Sequence, residues 1–502
     1  MRFLAVATLS QLDEPHSMTG SCPTYDPGWK AVLRFHLTRI SRQLEKRTSG
    51  QSGYALPSLL LLVVVLTLLA FAALTHNYLQ KQLALRSVFR VKAEYAAQSA
   101  LAKTIAALRS PQEYANRLRE SRRDLDLQDG SQSTVEVQRW GCFSLMTATA
   151  SYRTASAQRV ALVAQRPGPS FENALVFANT SHQLVFTGTA AVQGRIITGP
   201  SGVSKGTLVG QTGVTPTLPS AVIRTERAPR LPSFSQSELA DEIDTYERLV
   251  KGEFSKNPLS RGGVITYSAK ISLIDGSQIP ADVQYVVAEG DALLKGVFYR
   301  RGPPLYVLAK GTLSFQPQAQ VDGPVAIIAR KEIVLPDSVH VDHAILYSAT
   351  RIELKASARI SAQVFSPFIL LRSGSLASYP SLLVSISRTV EPDASAGIVI
   401  EGGATVEGTI LSLGQKVENE NPLVVIQPGA SITGAVYSEN VMTLDGSVAG
   451  TVMTREFYFY VQPTKYLGWL RSARIDRSLR PQGFLLPIGF AESFRLDILE
   501  WL

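Results

Sequence analysis

The densest group of side chains able to ligate a metal or move a proton is Val339-His340-Val341-Asp342-His343. Two imidazoles and a carboxylate could hold a divalent ion. Side chains alternate along a strand, however, so His340 and Asp342 share one face and His343 takes the other. The imidazoles then diverge, and the run reads as solvent-facing polar residues. Hydrolysis of a glycosidic bond needs two carboxyl groups flanking the linkage. The carboxylates at strand ends, Asp322, Asp337, Asp342, Glu353 and Glu407, recur at no fixed offset. GxSxG, HExxH and P-loop spacings are absent. The two cysteines, Cys22 and Cys142, form no CxxC pair and no disulfide framework. No catalytic, cofactor-binding or metal-binding residue is assigned, and the chain is not expected to be an enzyme.

What the chain presents depends on the elements that hold it, and these are organised by residues 54–74, YALPSLLLLVVVLTLLAFAAL. This stretch has no charge. About twenty helical residues span the ~30 Å core of a bilayer, and in lipid a lone segment satisfies its backbone only as a helix. Helical spacing continues through Leu79, Leu83, Val88, Val91, Leu101 and Ile105 to Leu108, and the phrase AEYAAQSALAKTIAAL is strongly helix-forming. One rod, a transmembrane helix running into a stalk, is therefore expected over 54–110, stopped by Pro111. Residues 1–53 form a basic leader or cytoplasmic segment, with Lys30, Arg34, Arg39, Arg42, Lys46 and Arg47 ahead of the helix. Residues 1–29 read either as a cytoplasmic extension or as an over-extended start. The basic run places the N-terminus in the cytoplasm by the positive-inside rule, although Lys81, Arg86, Arg90 and Lys92 narrow the asymmetry. The net charge of +9 gathers beside this segment and at the C-terminus. That distribution fits membrane lipid as a partner, and no aromatic-basic ribbon points to nucleic acid.

Beyond the rod the period changes. Residues 120–168 alternate apolar and polar around a glycine turn and predict a small antiparallel sheet. From 170 to 454 a phrase recurs: an apolar anchor, small or Val at +4, apolar at +6, small at +8 and an apolar pair at +10. Its copies begin at Phe186, Phe315, Leu335, Leu354, Ile400, Ile426 and Met442. Anchors 315, 335 and 354 are 20 and 19 residues apart, and the later spacings of 46, 26 and 16 imply insertions or a skipped coil. Short parallel strands stacked coil on coil would bury such columns, which predicts a β-solenoid. A helical insertion is expected at about 235–252, with Ser235 and Glu238 in capping-box spacing and Leu239, Ile243, Tyr246 and Val250 on one stripe. It would plug an end of the solenoid or pack on its side. Residues 455–502 form an aromatic and basic cap. In it FYFYV reads as a strand, KYLGWLRSARIDRSLR as a helix and the end as apolar, and the segment reads as a lid on the core or as a docking surface for a partner subunit or the membrane.

The segment SGYALPSLLLLVVVLTLLAFAAL resembles the N-terminus of type IV pilin-like proteins, and AEYAAQSAL brings it nearer the PilX and pseudopilin K group of minor subunits. The resemblance covers about residues 47–108. It implies prepilin processing between Gly53 and Tyr54, with Ser58 at the fifth mature position where major pilins carry Glu. Lack of that carboxylate fits a tip or initiating subunit. The leader is longer than a pilin leader, and a solenoid is not the common pilin head. The solenoid loosely resembles bactofilins, whose short β-helices polymerise in the cytoplasm.

The expected fold is a membrane-anchored α+β chain: one long N-terminal transmembrane and stalk helix, a small antiparallel sheet, then a mainly-β parallel solenoid with an inserted helix. The expected role is a minor pilin-like or secretion-apparatus component of the cell envelope. It would sit single-pass in a bacterial inner membrane, its C-terminal part periplasmic or extracellular. Its partners would be membrane lipid and other pilin-like or envelope subunits, with a glycan or other surface ligand on the solenoid. A tethered polymerising scaffold and a tethered glycan-active enzyme are the alternatives.

Overall fold

The computed structural model describes residues 55–127, 130–207, 222–253, 263–300, 303–387, 397–414, 423–492 and 494–502. The chain divides into two compact units, one ending at Leu85 and the other spanning Arg86–Leu502. Helix α1 (Ala55–Ala107) is continuous. In the first unit it is apolar and uncovered: Leu56, Leu60, Leu69, Phe71 and Leu74 are exposed. It is the one described helix long and apolar enough to cross a membrane.

Within the second unit the helix changes chemistry. Ala93, Ala96, Ala97, Ala100 and Leu101 become fully buried. Small side chains let a helix axis come close to a sheet, and this face packs on Val135, Val137, Met146, Ala148 and Val163. Helix α2 (Pro111–Glu120) follows a three-residue break. Ser110 caps it by accepting from the Glu113 N–H, and Glu113 reaches back to the Arg109 N–H. The sheet beneath is an antiparallel meander of β1 (Arg122–Leu127), β2 (Ser131–Trp140), β3 (Phe143–Tyr152) and β4 (Ala155–Gln165). A fifth strand, Leu496–Trp501, comes from the C-terminus and pairs with β4.

The large domain is a parallel β-solenoid. One inward column runs Leu294, Phe315, Leu335, Leu354, Leu371, Ile400, Ile426 and Leu444, each backbone-paired or continuous with the next coil. Six of its members, Leu294, Leu335, Leu354, Leu371, Ile400 and Ile426, are 0% exposed. The recurring phrase therefore marks real coils. The 46-residue spacing conceals a coil anchored by Leu371, and the anchor near 442 is Leu444, since Met442 pairs with Val424. At ~1.5–3 kcal/mol for each fully buried aliphatic side chain, these columns outweigh the ion pairs outside them, which contribute ~0–1 kcal/mol apiece when exposed.

The coils are not stacked in chain order. The first two, with strands Leu175–Phe177 and Ile196–Thr198, lie beyond the last one: Val452 in Ser447–Val461 pairs with Leu175, which pairs with Ile196. The chain thus builds one end of the solenoid. It then crosses through helix α3 (Gln236–Val250), restarts at Gly263–Tyr267 and winds back to meet its own beginning. Helix α3 packs on the side of the solenoid: Leu239, Ile243 and Tyr246 cover the outward row Val287, Leu308, Ile328, Tyr347 and Phe365. Ser235 makes no side-chain cap bond, contrary to the capping-box expectation. Phe484, Leu486 and Phe490 continue this second layer, so the last apolar stretch is a lid.

The helix expected in KYLGWLRSARIDRSLR is absent. Trp469–Arg471 and Arg474–Asp476 are strands, followed by a short 3-10 turn, Arg477–Leu479. Leu470 and Ile475 are drawn inward onto Phe186 and Val192, and positive φ at Gly468 and Ser472 breaks the chain between strands. The ladder overrides a local preference worth only tenths of a kcal/mol per residue.

The small residue at +8 of the phrase turns a corner. Gly408, Gly434 and Gly450 stack in register at φ of +153°, +140° and +155°. A Cβ on Gly434 would sit 2.1 Å from the Gly408 carbonyl oxygen, and one on Gly450 would sit 1.8 Å from that of Gly434. Gly434→Ala is expected to destabilise the solenoid by about 1–3 kcal/mol. Thermal unfolding by circular dichroism reads this, and an unchanged midpoint would remove the corner from the account.

Candidate functional site

The run containing His340, Asp342 and His343 folds differently from its expectation. His343 occupies the +8 corner, where other coils place Gly323, Ala362, Gly408 or Gly434. Its φ is +58°, a left-handed value that is costly for a side chain with a Cβ. The pairing shifts register between Asp342 and Ile345, so strand alternation does not carry through His343. Its imidazole is not solvent-facing. Nδ1 lies 3.0 Å from Asp322 Oδ1 and Nε2 lies 3.0 Å from Glu500 Oε2. The Trp140 indole N–H donates to the His343 carbonyl at 3.4 Å. His340 stays exposed, stacked between Gln320 and Arg359.

This corner joins three separate parts of the chain. Asp322 belongs to the coil before His343, Trp140 to β2 and Glu500 to the C-terminal strand. The Glu500 and Asp322 carboxylates hold the imidazole charged and raise its pKa to about 9, against the effect of its burial. Asp342, the neighbour of His343, is itself raised by burial. Both ring nitrogens are engaged by carboxylates. Among the described residues no group of three or more His, Cys, Asp or Glu is placed to hold a metal ion.

The remaining carboxylates scatter over the solenoid. Asp322 and Asp342 are register partners in adjacent coils, Asp337 is on an exposed turn and Glu407 lies in register with Thr433. Glu353 belongs to an outer ladder of charges. It meets Arg351 and Arg372 at 2.8 Å each, and Arg372 continues to Glu401 at 2.8 Å. These arginines hold the Glu353 carboxyl below its usual range against the upward push of its own burial. Ser58 lies in the exposed apolar part of α1, and Gly53 and Tyr54 lie outside the described residues. Glu500 was not foreseen as a site residue. It is 157 residues from His343, and nothing in the local sequence signals the pairing.

The His343 pin has a pH signature. Its pKa in the fold is above the unfolded value of 6.5, so its contribution to stability is complete below about 6.5 and is lost as pH rises through about 9. Asp322, Asp342 and Glu500 are the charged groups facing it. The wild-type unfolding midpoint should therefore fall between pH 7 and 9.5 by more than that of His343→Gln. Equal falls would show that the imidazole carries no such coupling.

No family model and no curated protein matches the chain. Two solved structures align over much of its length. The competence-associated pilin ComZ from Thermus thermophilus aligns over 83% of this chain and 97% of its own, at 13% identity and a TM-score of 0.19. An ice binding protein from an Antarctic bacterium Flavobacteriaceae aligns over 63% of this chain and 98% of its own, at 7% identity and a TM-score of 0.15. Superpositions this poor carry no argument, and the functional reading rests on the chain's own residues.

Proposed function

We propose that the protein is a single-pass, membrane-anchored component of the cell envelope, a minor pilin-like or secretion-apparatus subunit whose solenoid is presented outside the cytoplasm. One observation carries the reading: the apolar stretch of α1 is entirely uncovered in its own unit, while the same helix from Ala93 onward is closed against a sheet. An uncharged, exposed helix of this length needs lipid or other apolar helices around it. Ser58 supports a singular place over a repeating one. A carboxylate buried in lipid is costly unless paired, and a chain without it needs no charged neighbour at that depth.

A tethered polymerising scaffold has one observation in its favour. Strand Ile271–Asp275 pairs on one side only among the described residues, and its Ile271 and Leu273 are exposed. An unpaired strand edge is a template for further pairing.

Mass spectrometry of the protein from its native membrane separates processed from intact chains. The pilin-like reading expects a mature N-terminus at Tyr54. An intact leader would reduce the segment to a plain signal anchor. Protease added to cells with a permeabilised outer layer should cut the solenoid, and full protection would favour the cytoplasmic scaffold.

A further inference from the structure

A second polar cluster lies where the first coil meets the last. The Glu456 carboxylate, 9% exposed, lies 2.6 Å from His182 Nδ1 and accepts from Asn179 Nδ2 at 2.6 Å. Asn179 in turn accepts from the Ser181 and His182 backbone N–H groups, which fixes the turn. The His182 side chain is 42% exposed, and among the described residues nothing bonds its Nε2. Burial raises the Glu456 pKa, while His182 opposes the shift.

A group of aromatic rings borders this cluster. After Glu456 the strand runs out as a hairpin with Thr464–Leu467, and Phe459 stacks on Tyr466 with centroids 4.7 Å apart. Trp469 meets Tyr466 edge-on at 5.0 Å. The hairpin returns beside His182: a Cβ at Gly468 would lie 3.3 Å from the His182 Cβ. The indole lies over Gly206, whose added Cβ would come within 2.6 Å of two of its ring carbons, so a glycine there seats the ring. The Trp469 N–H and the Tyr466 hydroxyl have no partner among the described residues, and both side chains are half-buried. Arg471, stacked over Phe459, is neutralised by Asp445 at 2.6 and 3.1 Å.

We infer that this corner is a saccharide-binding site, with a sugar ring against the angle between the Tyr466 and Trp469 rings, which meet at 62°, and its hydroxyls bonded by the His182 imidazole and the indole N–H. A sugar ring offers an apolar C–H face rimmed by hydroxyls. The corner offers the complement: aromatic surface beside an imidazole oriented by a buried carboxylate, with open donors and an open acceptor. Arg471, paired with Asp445, is not free to bind a phosphate polymer. Tyr and Trp combine large contact area with a polar tip at low entropic cost. The site deepens the reading of the solenoid as a presented surface and does not depend on processing at Gly53.

Full-length protein in detergent, passed over a printed array of neutral and acidic oligosaccharides, tests this, with retained saccharides titrated by calorimetry. At least one saccharide should bind, and Trp469→Ala or Tyr466→Ala should weaken it tenfold or more. His182→Gln, at an exposed side chain, should weaken it several-fold without altering the circular dichroism spectrum. An array on which wild type retains nothing beyond Trp469→Ala would overturn the site, as would a titration that Tyr466→Ala and His182→Gln leave unchanged. An empty array beside a mature Tyr54 would remove the site and leave the envelope role standing. A positive array beside an intact leader would keep the site and remove the pilin-like processing.

Discussion

The backbone ladder between Val452 and Leu175 closes the solenoid, and the rest of the large domain depends on it. A parallel coil buries its inward column only against the coils above and below. The coil that begins at Leu175 has one such neighbour nearby, at Ile196, and must wait for the other until the chain has wound through every later coil. Loop-closure entropy grows slowly with length, so so long a return is affordable thermodynamically, but contacts of such separation form slowly. An array of repeats in chain order is stabilised by nearest neighbours and can fray from either end. Here the stack keeps a free end at Ile271–Asp275 among the described residues, but its other end is built by the first coils, so that end is held by residues from both the beginning and the end of the large domain. Three side chains reinforce the junction at a single atom: Arg477 and Arg480 donate to the Phe171 carbonyl at 3.0 and 2.9 Å, and Thr451 does so at 3.0 Å.

Closure also brings both ends of the large domain back to the small sheet. Gln165, the last residue of β4, exchanges backbone hydrogen bonds with Leu486. Its side-chain amide donates to the Phe490 and Glu492 carbonyls and accepts from the Gly489 N–H. A fully buried amide with every group engaged is a specific fastener, because any slip would leave donors unpaired in a dry environment. The His343 pin does the same work at the other end of the C-terminal strand, through Glu500. The left-handed backbone at His343 becomes intelligible here. Glycine would relieve the corner, yet only a side chain placed at that corner spans from Asp322 to Glu500.

The rod, the small sheet, the helix at 235–252 and the repeating columns were legible because each rests on a periodicity that local sequence carries. The anchors from Phe315 to Leu354 needed only period two and a fixed coil length. Leu371 was hidden because the following turn lengthens the spacing, and the site of the first coils was hidden because stacking order is a property of the closed object. Arginine-rich residues 465–480 misled for a related reason: helix propensity was read where Leu470 and Ile475 answer to partners nearly three hundred residues away. At the candidate site, alternation failed at His343 because a corner, unlike a strand, resets which way side chains point. The small residue at +8 was visible in the other copies, and a histidine in that column was the available sign that the position was special.

The aromatic corner shows what closure makes possible. Its parts come from the first coil, through Asn179, His182 and Val185, and from the last, through Glu456, Tyr466 and Trp469. Neither set makes a site alone. The strand bearing Trp469 is held in register by Val185, and the glycine that seats its indole lies just past the next strand of the first coils. A ligand bound there recognises only the closed solenoid, so linkage requires that it stabilise closure by RT ln(1 + [L]/Kd). The same coupling runs in reverse: anything that loosens the Phe171 junction should weaken the site without touching it. A surface assembled across the seam of a solenoid therefore reports on the integrity of the fold that presents it, which a surface laid along consecutive coils would not.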